Sequence, residues 1–319
     1  MESRADDLTH YTHPIFRPRE FLIPTPAMHF VRESITRCIY TRQPGMVITG
    51  ASRAGKTSVA RSIELDPIKG RNGIPIPVLY SSIPSRDQTT IRMVLRNLCL
   101  AADLHITKGD TADTLSEMYF SYILDQSSDS GSDAALLIID EFQRLSPFQL
   151  DAFAELYDRS ERYHLDLTTV FIGSYPDCRG LLETLENPHY THIYGRFFRQ
   201  HIKFKGLRSE GDVRDCLQQY DILRYPAQGP TYAEYFLPDT MADGWALADM
   251  AKDLWSAFVA HTQGLGIQYW GMQYFISTVN TLLCDVLPRC GHRNYEPEHI
   301  HECLHISGIL PDLVKKRGD

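Results

Sequence analysis

The chain has 319 residues, 43% of them hydrophobic and 23% charged, which leaves room for a core domain and a smaller one beside it. With 40 Asp and Glu against 32 Lys and Arg, the net charge is −8, which excludes a chain-wide basic surface; any nucleic-acid contact has to be built from a local patch. No apolar run reaches the eighteen residues of a membrane span, and the polar opening MESRADDLTHYTHP lacks a signal-like apolar stretch, so a cytoplasmic protein with reduced thiols at its seven cysteines is expected.

Residues 1 to 20 are polar, and the expectation is a flexible segment. After Pro24 and Pro26, apolar Met28, Val31, Ile35 and Ile39 recur at helical spacing up to Tyr40. Met46 to Thr49 is a short buried strand that runs into a glycine-rich turn, and a helix is predicted from Lys56 to Glu64. Pro77 to Ser81 is the next strand. Ile91, Val94, Leu95 and Leu98 mark a helix, and Thr111 to Leu124 marks another. The polar run Asp125 to Asp133 is expected as a surface loop. Ala134 to Ile139 is an apolar strand that ends at Asp140 and Glu141. A helix from Pro147 to Ser160 and a strand from Thr168 to Ile172 follow, and Gln200 to Phe204 is a candidate fifth strand.

Strands alternating with helices predict an α/β fold, a mostly parallel sheet flanked by helices. Beyond Leu207 the strand signal fades: Asp212 to Leu223, Met241 to His261, Tyr269 to Leu287 and Glu296 to Ile306 all read as helices. The expected organisation is therefore a nucleotide-binding domain over residues 21–206 and a small helical lid over 207–319.

The segment Gly50-Ala51-Ser52-Arg53-Ala54-Gly55-Lys56-Thr57, followed by Ser58, matches the phosphate-binding pattern G-x-x-x-x-G-K-[ST] in its required place between strand and helix. Glycines let backbone amides close round phosphates, and the helix N-terminus adds positive potential. Lys56 is assigned to the outer phosphates and Thr57 to Mg²⁺. In Leu136-Leu137-Ile138-Ile139-Asp140-Glu141 an apolar strand delivers two carboxylates to its C-terminal end, where α/β sheets bind ligands. Asp140 is assigned to Mg²⁺ and Glu141 to the attacking water as general base, with a helix cap as the plainer role for Asp140.

Ser174, at the tip of the following strand, is placed to orient that water; serine after glycine is also ordinary turn chemistry. In Tyr194-Gly195-Arg196-Phe197-Phe198-Arg199, Arg196 is the first candidate and Arg199 the second for an arginine finger reaching a neighbouring subunit, against the simpler role of stems covering aromatic rings. Cys284, Cys290, His292, His299, His301, Cys303 and His305 lack the spacing of a zinc knuckle.

Taken together, GASRAGKT, LLIIDEFQ, the FIGSYP strand end and GRFF resemble the AAA+ ATPases of the TnsC/TniB family, regulators of Mu-like and Tn-seven-like DNA transposition. FLIPTPAMHFVRESITRCI and IPVLYSSIPSRDQTTIRMVLRNLCL extend the resemblance over roughly residues 20 to 205. It implies an AAA+ P-loop NTPase with ATP and Mg²⁺ as cofactors, Lys56 and Thr57 in Walker A, and Asp140 and Glu141 in Walker B. It further implies a homo-oligomeric ring or filament on double-stranded DNA that recruits a transposase, answers to a target-selection protein, and comes apart on ATP hydrolysis.

The sequence departs from that pattern in the lid, where Gly264 to Gln273 has no arginine to sense the γ-phosphate. For DNA, Arg86, Arg92 and Lys108 are the candidate phosphate contacts, with solvated surface charge as the alternative. Two other readings stay open: a signalling or defence ATPase of STAND-like type acting on protein partners without DNA, and a P-loop kinase.

Overall fold

A computed structural model describes residues 12–17, 21–85, 90–239, 244–265 and 267–309. Among these the chain forms two compact units. One gathers Phe30–Ser52 and Lys56–Phe204; the other gathers the described residues up to His29, Arg53–Gly55, and the described residues from Lys205 onward.

The first unit is built on five parallel strands: β1 (Gly45–Gly50), β2 (Val78–Ser82), β3 (Ala134–Asp140), β4 (Asp166–Ser174) and β5 (His201–Lys203). Their order in the sheet is β2-β3-β4-β1-β5. Parallel neighbours need crossover connections, and the helices supply them. Helix α1 (Pro26–Tyr40) precedes β1, and the connecting helices are α2 (Lys56–Leu65), α3 (Ile91–Ala101), α4 (Ala112–Ser130), α5 (Asp151–Arg162) and α6 (Arg179–Leu185). Because helices cover the sheet, β1 and β3 are buried at every position, which is why they read as continuous apolar runs rather than alternating ones.

Helix starts follow the capping residues. Thr90 and Thr111 accept from the backbone N–H groups of Met93 and Thr114. Met28, Val31, Ile35 and Ile39 are all buried along α1, as the spacing predicts.

The run Asp125 to Asp133, expected as a loop, is helical through Ser130. Ser127 lies one turn beyond the buried Ile123 and is itself buried. The helix stops only at Gly131, whose left-handed backbone (φ 70°) lets its N–H close on the carbonyls of Ser127 and Ser128. Packing of one face outweighs the modest helix preference of Ser and Asp.

The second unit carries α7 (Glu210–Ile222), α8 (Tyr232–Phe236), α9 (Ala251–Thr262), α10 (Met272–Thr281) and α11 (Pro297–Ile306). Its core stacks Trp270 on Phe258, ring centroids 4.7 Å apart and nearly parallel, with Phe275 edge-on to Trp270. Gly206 is required here, since a Cβ would lie 2.1 Å from the Trp270 carbonyl oxygen, where Leu207 and Trp270 form an antiparallel bridge.

The helix expected from Met241 begins at Ala251. The Asp221 carboxylate accepts from the N–H groups of Leu247 and Ala248, which fixes a separate 3₁₀ turn over Leu247–Met250 that periodicity cannot reveal. Residues 240–243 lie outside the described residues.

The expected flexible segment also needs correcting for residues 12–17. His13 is fully buried among Tyr225, Tyr232, Tyr235 and Phe236, and Ile15 belongs to the same core. Its polar composition hides two anchors, because an imidazole can fill an aromatic pocket. Residues 1–11 and 18–20 lie outside the described residues. Residues 21–29, read with the nucleotide domain in the sequence, group with the C-terminal helices through buried Phe21 and Ile23.

Candidate nucleotide site

Strand register assembles the site. Gly50 at the end of β1 pairs with Ser174 at the end of β4, and Asp140 at the end of β3 pairs with Ile172 on β4 and with Ser82 on β2. The two motifs, 83 residues apart from Thr57 to Asp140, therefore meet at the C-terminal edge of one sheet.

The glycines of the loop act differently from each other. Gly55 has φ 104°, a conformation open to glycine. Gly50 is required by a neighbour: a Cβ would stand 2.3 Å from the Phe204 carbonyl oxygen beside β5. Arg53 takes φ 64°, a left-handed position that a non-glycine residue seldom adopts. Ala54 is fully buried, Ser52 is exposed and Ser58 is half-buried.

Lys56 opens α2 and is only 7% exposed. Its ammonium donates to the carbonyls of Gly50 (2.9 Å) and Ala51 (2.7 Å), so the side chain is already folded back over the loop. Burial lowers its pKa, opposed by the nearby charges of Asp140 and Glu141.

Thr57 donates its hydroxyl to Asp140 Oδ2 at 2.8 Å, and the Tyr80 hydroxyl donates to the same oxygen at 3.1 Å. The other oxygen, Oδ1, accepts the Glu141 N–H at 2.8 Å. Burial first, and then the Asp140 charge and hydrogen bond, push the Tyr80 phenol up, keeping it a donor. A carboxylate that is 2% exposed, with a hydroxyl on it from the P-loop, is an all-oxygen donor set of the kind that suits Mg²⁺.

Glu141 follows β3 with φ 60°. Its Oε2 accepts from Gln143 Nε2 at 2.8 Å and pairs with Arg144 Nη2 at 2.9 Å. Gln143 Oε1 in turn accepts the Ser174 N–H at 3.1 Å. Thus Ser174, named in the sequence for its hydroxyl, enters this network through its backbone.

Gly173 makes the close approach possible. A Cβ there would lie 2.3 Å from Phe142 Cε1 and 3.0 Å from Gln143 Oε1, and the Phe142 ring is fully buried against Phe171 and Phe198. Gly173→Ala is expected to destabilise the chain by about 1–3 kcal/mol through overpacking; denaturant titration of the two proteins measures it, and an unchanged midpoint would show that Phe142 moves freely.

Other candidates stand apart from this network. Arg196, in a π-helical turn before β5, pairs with Asp158 on α5 at 2.9 Å and lies over the Tyr157 ring, 5.7 Å from its centroid. Arg199 is exposed. Arg92 donates to the carbonyls of Asp110 and Lys108, both at 2.7 Å, so it ties down the loop after α3, while Lys108 is exposed. Arg86 lies outside the described residues.

Sequence reasoning missed Tyr80, Gln143 and Arg144. Tyr80 had a usable signal: it shares a face of β2 with Ser82, which pairs with Asp140. Gln143 and Arg144 reach Glu141 through a turn that periodicity does not describe.

Residues 40–182 match the AAA domain family. In three dimensions the chain is similar to the Aeropyrum pernix ORC2 protein in its ADPNP-ADP complexes, at 12% identity over 93% of this chain and 72% of that one, with a TM-score of 0.59. It is similar also to Drosophila ORC bound to DNA, at 13% identity over 96% of this chain and 70% of that one, with a TM-score of 0.50. At such identities the likeness speaks for the fold. No curated protein matches the chain in sequence. The α/β sheet, the P-loop geometry and the match of residues 40–182 to the AAA domain support an ATPase. Among the described residues no helix is long and apolar enough to cross a membrane.

Proposed function

We propose that the chain is an ATP-dependent, DNA-binding regulator of DNA transposition that oligomerises on target DNA, recruits a transposase and disassembles on hydrolysis. The hydrolytic part rests on the arrangement of Lys56, Thr57, Asp140 and Glu141 at one sheet edge. The transposition part rests on the four motifs that resemble the TnsC/TniB family, and DNA as partner is in keeping with a fold whose carriers include an ORC bound to DNA.

The observation that carries assembly is Arg196. It is held by Asp158 and Tyr157, and no hydrogen bond or ion pair joins it to Lys56, Thr57, Asp140 or Glu141. In this reading its guanidinium serves a neighbour's site, and the Asp158 pair keeps it parked until subunits meet.

Mg²⁺ and ATP, when bound, supply the transferable phosphoryl group and the charge that neutralises it. Lys56 exchanges the carbonyls of Gly50 and Ala51 for phosphate oxygens. Thr57 and Asp140, already in contact, would hold the metal. Glu141 takes a proton from the attacking water. The acidic net charge leaves DNA contact to local cations such as Lys108 and Arg86.

Sedimentation and negative-stain imaging with a random-sequence duplex, with and without a slowly hydrolysed ATP analogue, test this. Rings or filaments that need both DNA and nucleotide, and that weaken steeply with salt, are the expected result. A monomer, or an oligomer indifferent to DNA, would overturn the DNA reading in favour of an ATPase switch that acts on proteins.

A further inference from the structure

The catalytic carboxylate is held from two directions. Arg144 spans from Glu141 Oε2 to the Ile83 carbonyl just past β2, at 2.9 and 2.6 Å. Gln143 spans from the same Oε2 to the Ser174 N–H at the tip of β4. The chemistry fixes which way the Gln143 amide points: a backbone N–H requires its oxygen, and a carboxylate requires its nitrogen. No described residue hydrogen-bonds Glu141 Oε1, which leaves that oxygen to accept from water.

The bridge also continues away from Glu141. Ser174 pairs with Gly50, the first residue of the P-loop, and the Tyr175 N–H donates to the Gly50 carbonyl at 2.9 Å. That same carbonyl receives the Lys56 ammonium. Hydrogen bonds joined through the Ser174–Tyr175 backbone therefore link the nucleotide loop, the tip of β4, Gln143 and the base. The run is tight where it passes Gly173, since even a methyl group there would meet the Gln143 oxygen and the Phe142 ring.

We propose that Gln143 is a positioning residue for ATP hydrolysis: its amide transmits the position of the β4 tip, and with it that of the P-loop, to the carboxylate of Glu141. This rests on Glu141 acting as the base. Gln143 touches neither nucleotide nor water in this role, so its loss reduces the rate through a misplaced carboxylate, an effect that reaches about 10²-fold for displacements near 1 Å.

Two variants separate positioning from packing. Gln143→Met keeps the length and loses both hydrogen bonds. Gln143→Glu keeps an acceptor for Ser174 and loses the donor to Glu141. Both are expected to lower kcat at least about tenfold while KM and the Kd for ATP stay within about threefold. In the nucleotide-free protein, amide hydrogen exchange at Ser174 is expected to speed up in Gln143→Met and to stay slow in Gln143→Glu. In a Glu141→Gln background, Gln143→Met is expected to add less than about a twofold further loss, because the group it positions is gone.

Wild-type kcat in Gln143→Met, beside an impaired Glu141→Gln chain, would overturn the positioning role alone. So would unchanged Ser174 exchange in Gln143→Met. Wild-type hydrolysis by Glu141→Gln would overturn the base reading and the positioning role with it.

Discussion

A Glu141→Gln chain is expected to bind ATP about as tightly as the parent and to hydrolyse it about 10²–10⁴-fold more slowly, the range that a positioned general base contributes. The substitution keeps the shape and still offers an oxygen to Gln143 and Arg144, so the turn at Glu141 and the contacts of Asp140 should survive. It removes the anion that accepts the water's proton. If hydrolysis drives disassembly, the variant should also stay assembled on DNA in ATP long after the parent has dispersed. Single-turnover hydrolysis and equilibrium nucleotide binding, measured on the same preparation, separate the two effects. Rapid turnover by the variant would remove Glu141 from the reaction and leave it as a partner of Arg144.

Lys56→Ala is expected to lower ATP affinity by about 10²-fold or more, the equivalent of one or two charge-assisted hydrogen bonds at about 1.5–3 kcal/mol each. The ammonium is buried beside two carboxylates and already sits on the carbonyls of Gly50 and Ala51, so it is preorganised over the loop that phosphates would enter. Its removal also leaves the Gly50 carbonyl without that partner, and a loss of about 1 kcal/mol in stability should accompany the loss of binding. Lys56→Met serves as the control, since it restores the stem without the charge. Recovery of affinity in Lys56→Met would mean that packing rather than charge holds the nucleotide; calorimetric titration with ATP decides between them.

Much of this site is legible in the sequence. The pattern from Gly50 to Thr57 is short and its chemistry is local: a turn, a helix N-terminus and one lysine. Asp140 and Glu141 were legible because an apolar run that ends in carboxylates marks the functional end of a buried parallel strand. Composition argues for a loop at Asp125 to Asp133, whereas the buried face and the Gly131 cap extend the helix through residue 130. Residues 12–17 differ from expectation for a similar reason: the pocket of Tyr225, Tyr232, Tyr235 and Phe236 that holds His13 is assembled from residues more than 200 positions away.

Residue types a few positions apart point to a phosphate loop, to Asp140 as the proposed metal ligand and Glu141 as the proposed base, and to an alternation of elements that admits a parallel sheet. Those features are local. The fold brings Gln143 and Arg144 to Glu141 and crowds Gly50 and Gly173 against their neighbours. Gln143 reaches Ser174 across 31 residues of chain, Tyr80 reaches Asp140 across 60, and Gly50 is required by a carbonyl at residue 204. Such contacts depend on strand order and register, which bring distant segments within hydrogen-bond distance and leave no periodic trace along the chain.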